Sequence, residues 1–192
     1  MTDIRNSIIL AAILLATACT EAPVPKPTGY FRIAMPQHKY YQYDSINEPY
    51  SFETSYYSKI QPDNDENAEA HWINIYYPDF KCKIHVTYRT IDNNAEEVLE
   101  DSRKLVYKHT VKADAINESY YENNDDRIYA SLYRIKGNAA TPLQFSLTDS
   151  TDNLFRGSLY FYARPNADSL APVVEYIEED IVHLIETFKW NK

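Results

Sequence analysis

The chain has 192 residues, 44% of them hydrophobic, and a formal net charge of -9 from 28 acidic and 19 basic side chains. That length supplies one buried core without disulfide or metal staples, and the acidic balance opposes recognition of a phosphate backbone, so no nucleic-acid partner is expected. Three glycines, at positions 29, 137 and 157, are too scattered for a phosphate-cradling loop or a Gly-x-Ser-x-Gly nucleophile elbow.

Arg5 gives a weakly positive start, and residues 8–15 form an apolar run too short to span a bilayer. Ala16-Thr17-Ala18-Cys19 follows and fits a bacterial lipobox, in which small residues let a signal peptidase cut before a cysteine already carrying diacylglycerol. Residues 1–18 therefore read as a lipoprotein signal peptide and Cys19 as the lipidation site, with each buried acyl methylene contributing about 0.8 kcal/mol to membrane attachment. Ala16 stands where leucine is commonest, and the competing reading is an ordinary secretory signal with Cys19 left as a thiol. Residues 19–29 carry Pro23, Pro25 and Pro27 and read as an extended, polyproline-like tether with a reach of about 25 Å. Threonine at position 20, in place of aspartate, favours the outer membrane facing the periplasm by the Gram-negative sorting rule.

Residues 30–192 contain no internal linker and read as a single domain. Period-two patterns of β-branched and aromatic residues predict strands over 51–57, 72–77 and 84–89, with Pro78-Asp79 as the turn between the last two. Cys82, at the start of the third strand, reads as a quiet half-buried thiol, although Lys81 and Lys83 are of the sign that activates cysteines. Asn94 is placed to cap a helix whose apolar stripe runs through Ala95, Val98, Leu99, Ser102, Leu105, Val106 and His109, with Glu96 and Glu97 in its first turn. Strands follow over 128–135, 143–147 and 159–163. A closing helix opens near Ser169, takes Pro172 in its first turn, and buries Val173, Ile177, Ile181, Leu184, Ile185 and Phe188. The expected fold is α+β: an antiparallel sheet flanked by two main helices, with an element order that resembles the Mog1/PsbP-like α/β/α sandwich.

Residue chemistry gives no catalytic and no metal site, and no cofactor is expected. The histidines at 38, 71, 85, 109 and 183 are scattered without metal-ligand spacing, and His183 with Glu186 reads as a surface ion pair. His109 reads as a core histidine bonded to the backbone. Asp63-Asn64-Asp65-Glu66-Asn67 and Asn123-Asn124-Asp125-Asp126 lack full calcium-loop spacing and read as solvated turns. Tyrosine is the compositional outlier, with 18 in the chain. Most suit a half-buried sheet face, and Tyr40, Tyr41 and Tyr43, close to the tether, are the ones expected to form an exposed patch for a partner.

Several stretches resemble the gliding-motility lipoprotein GldD family of Bacteroidetes: Tyr30-Phe31-Arg32-Ile33, Trp72-Ile73-Asn74-Ile75-Tyr76-Tyr77-Pro78, Ser102-Arg103-Lys104-Leu105-Val106-Tyr107-Lys108-His109, Gln144-Phe145-Ser146-Leu147-Thr148-Asp149-Ser150, Phe155-Arg156-Gly157-Ser158-Leu159-Tyr160-Phe161 and Pro165-Asn166-Ala167-Asp168-Ser169-Leu170. The resemblance spans nearly the whole domain behind a lipoprotein signal. It implies a non-enzymatic envelope lipoprotein that serves surface gliding and type IX secretion, with other lipoproteins of that machinery as partners. A reading from another class is a periplasmic enzyme or glycan-binding domain with a site near His109 and the sheet tyrosines.

Overall fold

Alternation of large apolar and polar side chains builds most of the strands. In Ile73–Tyr77 the isoleucines and Tyr77 are buried while Asn74 and Tyr76 face outward, and Cys82–Thr90 repeats the pattern with Ile84, Val86 and Tyr88 inside. The computed structural model describes residues 34–108, 113–162 and 166–191. Their elements, in chain order, are β1 (Tyr40–Asp44), β2 (Tyr50–Ser55), β3 (Lys59–Pro62), β4 (Ile73–Tyr77), β5 (Cys82–Thr90), α1 (Ala95–Lys108), β6 (Ala113–Asn123), β7 (Ile128–Gly137), β8 (Leu143–Thr148), β9 (Asn153–Phe161), α2 (Ala167–Thr187) and β10 (Lys189–Trp190).

Seven strands make one antiparallel sheet in the order β3-β4-β5-β9-β8-β7-β6, and β1-β2-β10 make a second, with β2 in the middle. The fold is α+β. The main core lies between one face of the large sheet, α2 and the small sheet: Phe145, Phe155, Ile84 and Leu159 meet Ile177, Ile181 and Leu184 of α2, and Tyr50, Phe52 and Phe188 close it. On the opposite face α1 seats Val106 against Tyr133, Ile135 and Ala139, and Val98 against Ile91 and Leu154. At Gly157 the lack of a side chain is required, because a Cβ there would stand 2.3 Å from Cζ of Phe145, whose ring covers it.

Several boundaries differ from the sequence reading. β1, β3, β6 and β10 lack a clean period-two signal; β6 in particular is an edge strand in which most side chains are exposed. Strand β2 ends at Ser55, and Tyr56 and Tyr57 form the turn into β3. Strand β9 begins at Asn153, its early half disguised by Arg156 and Gly157. Leu105 is 39% exposed and leaves the inner stripe of α1 to Val98, Ser102 and Val106. Asn166 caps α2, its side chain accepting from the Ser169 amide at 3.3 Å, so Pro172 lies one turn deeper inside the helix than its position in the sequence pattern implied.

Candidate functional site

The chain leaves residue 34 on the surface and reaches α2 before it enters β1, and there the polar and aromatic side chains converge. Pairing with β2 sets Tyr40 opposite Ser55 and Tyr43 opposite Phe52. Tyr43 is half-buried and tilts against the Phe52 ring at 5.3 Å, and Tyr40 is half-buried and stacked on the His183 imidazole at 3.6 Å between centroids. Only Tyr41 is exposed, at 36%. The three tyrosines are thus a partly embedded set, since packing against α2 and the core holds two of them.

His38 is the centre of the cluster. Its Nδ1 lies 2.7 Å from Oδ1 of Asp180 and its Nε2 lies 2.9 Å from Oε2 of Glu179, so a ring protonated at both nitrogens donates to both carboxylates. The ring also stacks on Tyr176 at 4.2 Å. Asp180 is 3% exposed and accepts a second bond from the Tyr77 hydroxyl at 3.1 Å. Burial pushes the Asp180 carboxyl above the usual range, against the pull of His38 and Tyr77. The same burial, with Asp180 close by, pushes the Tyr77 and Tyr40 phenols up. Ser55 Oγ is buried beside this cluster, and its hydroxyl acts with His38 and Tyr77 to pull the Asp180 carboxyl down. A nucleophilic hydroxyl needs a ring nitrogen free to take its proton. Both nitrogens of His38 face carboxylates, so the arrangement clasps the start of the domain onto α2.

The other described histidines are engaged in the same way. His183 Nε2 lies 2.7 Å from Glu53 Oε2 on β2, not on the neighbouring Glu186 that the helical spacing suggested. His71 Nδ1 meets Glu48 at 2.9 Å, and His85 Nδ1 meets Asp63 at 3.3 Å. Asp63 also accepts from the Asn74 amide at 3.1 Å with a side chain only 3% exposed, so it is embedded, while residues 64–67 are exposed as a solvated turn requires. Residues 123–126 are the exposed β6–β7 turn that was expected. Cys82 is fully buried, more deeply than the sequence suggested, and burial pushes its thiol up to about 12, so the flanking lysines do not make it a thiolate. Among the described residues no three of His, Cys, Asp and Glu converge as metal ligands, and no helix is long and apolar enough to cross a membrane. Cys19, the tether and His109 lie outside the described residues.

Two clefts lie along α2. One of about 530 Å³ runs along α2 between Tyr40, His183, Glu186 and Arg134, the last paired with Glu178. The other, about 460 Å³, opens at the start of α2 over an apolar floor that includes Ile135, Pro142, Phe161, Leu170 and Val174.

No curated protein sequence matches this chain. The solution structure of cyanobacterial PsbP (CyanoP) from Synechocystis sp. PCC 6803 aligns with it at 11% identity and a TM-score of 0.49, over 88% of this chain and 100% of that one. The family model described as gliding motility lipoprotein GldD matches residues 20–190, and the chain belongs to that family.

Proposed function

We propose that this lipoprotein is a non-enzymatic scaffold, anchored through lipid on Cys19 to the outer membrane on its periplasmic side, that stabilises or assembles other lipoproteins serving gliding motility and type IX secretion. Membership in a lipoprotein family implies a lipid-anchored place in the cell envelope and a part in gliding. The observation that carries the scaffold reading is how the reactive side chains are engaged: the four described histidines are each held by a carboxylate at 2.7 to 3.3 Å, and Cys82 is a buried thiol. These contacts join segments distant in sequence and rigidify the domain, as a platform for assembly requires.

A scaffold acts by mass action, because a bound partner exposes less protease-sensitive surface than a free one. Deletion is therefore expected to lower the level of a partner lipoprotein at constant transcript and to stop adhesin export and spreading together. Unchanged partner levels and export after complete deletion would refute the scaffold. The anchor has its own test: Cys19→Ser should move the protein from the membrane to the soluble periplasmic fraction, and wild-type membrane recovery of the variant would refute lipidation.

A further inference from the structure

Charge is unevenly distributed over the domain. Strands β3, β4, β5 and β9 contain no Asp or Glu, yet they carry Lys59, Lys83, Arg89 and Arg156. The strand pairings bring all four cations to one face of the sheet: Lys59 is opposite Tyr76, Tyr76 opposite Lys83, Thr87 opposite Arg156, and Arg89 opposite Leu154. This is the face that turns away from α2 and the main core. The exposed acids Glu175, Glu179 and Glu186 sit on α2, on the other side of the sheet, while α1, which covers the Leu154 end of the cationic side, carries Glu96, Glu97, Glu100 and Asp101.

Aromatic rings stand among the cations. Lys83 is paired with Tyr76 on one side and Tyr160 on the other, and Tyr162, 65% exposed, meets Tyr76 edge-on at 6.1 Å. Arg156 is half-buried, and its guanidinium donates to one protein acceptor among the described residues, the neutral Oε1 of Gln144 at 2.6 Å. Burial pulls its guanidinium pKa down, with the phenols of Tyr160 and Tyr133 acting the other way, and no described carboxylate forms an ion pair with it. A partly desolvated guanidinium with only a neutral partner keeps most of its five-donor fork for a planar anion. Asp63, beside β4 on this side, is already held by His85 and Asn74.

We propose that this cationic, tyrosine-bearing face is where the protein seats an acidic partner protein, an inference that rests on the scaffold reading and names its surface. Arginine and tyrosine are the residue types that dominate protein-interface energies, and the surface is a sheet face and not a cavity, sharing only Tyr160 with the 460 Å³ cleft. Among the exposed large apolar side chains only Tyr162 belongs to it, so it has no wedge for an acyl layer. From β3 to β9 the strand axes span about 14 Å, and Arg156 to Tyr160 about 13 Å, an area well below the roughly 800 Å² per partner of a standard interface. Such a contact is weak by itself. It becomes sufficient when both proteins are fixed to one membrane and local concentration replaces affinity.

The test places a photo-crosslinking phenylalanine in the full chain, in cells, at Tyr162 and, separately, at the exposed Tyr56 and Tyr120. The expected result is an adduct from position 162 with a component of the gliding or secretion machinery, through an acidic peptide, reduced at least tenfold by Lys83→Glu with Arg89→Glu and not by Lys39→Glu. Arg156→Gln, which keeps a polar side chain, should reduce it in the same direction. An adduct from Tyr56 or Tyr120 alone overturns this surface and leaves the scaffold standing, and no machinery adduct from any position overturns both. Purified full chain is also offered vesicles of phosphatidylethanolamine and phosphatidylglycerol, and oligogalacturonate as an anionic glycan. Binding to either that Lys83→Glu abolishes reassigns the face to lipid or glycan and refutes the protein partner.

Discussion

The clasp between His38 and Asp180 makes a quantitative prediction. Truncating His38 to alanine removes a charge-assisted hydrogen bond of 2.7 Å to a carboxylate that is 3% exposed, worth about 1.5–3 kcal/mol. It also removes the stack on Tyr176 at 4.2 Å, worth about 0.5–1.5 kcal/mol. The contact with Glu179 adds little, because that carboxylate is 70% exposed. The sum is about 2–4.5 kcal/mol, which for a domain of this size is a fall in Tm of roughly 5–15 °C. Thermal and urea unfolding of His38→Ala, Glu179→Gln and Asp180→Asn, with the His38→Ala/Asp180→Asn double variant to close the cycle, measure it. Glu179→Gln should be near neutral, and the cycle should return a coupling of at least about 1 kcal/mol. If His38→Ala costs no more than Glu179→Gln, the clasp contributes no net stability and the argument fails.

Two further predictions concern the sheet. Asp149, in the β8–β9 turn, accepts from the amides of Thr151, Asp152 and Asn153 at 2.8 to 3.0 Å and from the Asn153 side chain at 2.7 Å. Burial raises its pKa, but these donors outweigh burial and hold it below the usual carboxylate range. A depressed folded pKa stabilises above the unfolded value and is lost as pH falls through the folded one; urea midpoints should therefore favour wild type over Asp149→Asn by about 1–3 kcal/mol at pH 7 and converge below about pH 4. Gly157→Ala drives a methyl into the Phe145 ring and should cost about 1–3 kcal/mol, with Phe145→Leu in the same chain recovering part of the loss by calorimetry.

Where a pattern acts through near neighbours, the sequence was legible. The alternation in β4 and β5 and the spacing of Val173, Ile177, Ile181 and Leu184 on α2 placed those elements because burial there follows the strand and helix repeats. β6 escaped because an edge strand with mostly exposed side chains has no apolar period to read. β1 escaped because Tyr40 is held by stacking on His183, remote in sequence, and Tyr43 by a tilted contact with Phe52 on the neighbouring strand. The clasp was not legible at all: His38 and Asp180 are 142 residues apart, and nothing local marks a histidine as the partner of a remote carboxylate. His183 illustrates the same limit, since its helix neighbour Glu186 was the local choice and Glu53, 130 residues away, is the partner in the fold. The cationic face, by contrast, is implicit in the composition of four acid-free strands, but needs their register before it becomes a surface.

The small sheet carries a consequence for biogenesis. Its central strand, β2, is flanked by β1 on one side and β10 on the other, and Ser51 donates to Asn191 across 140 residues. A chain emerging from its amino end has β2 early and must wait for β10 until nearly everything between has been made. Pairings of such separation form slowly, because the loop-closure entropy precedes the contacts that offset it. A polypeptide that must cross a membrane before it folds gains from that delay: the sheet and the core around Tyr50 and Phe188 stay incomplete, and the chain threadable, until the residues around 190 have emerged.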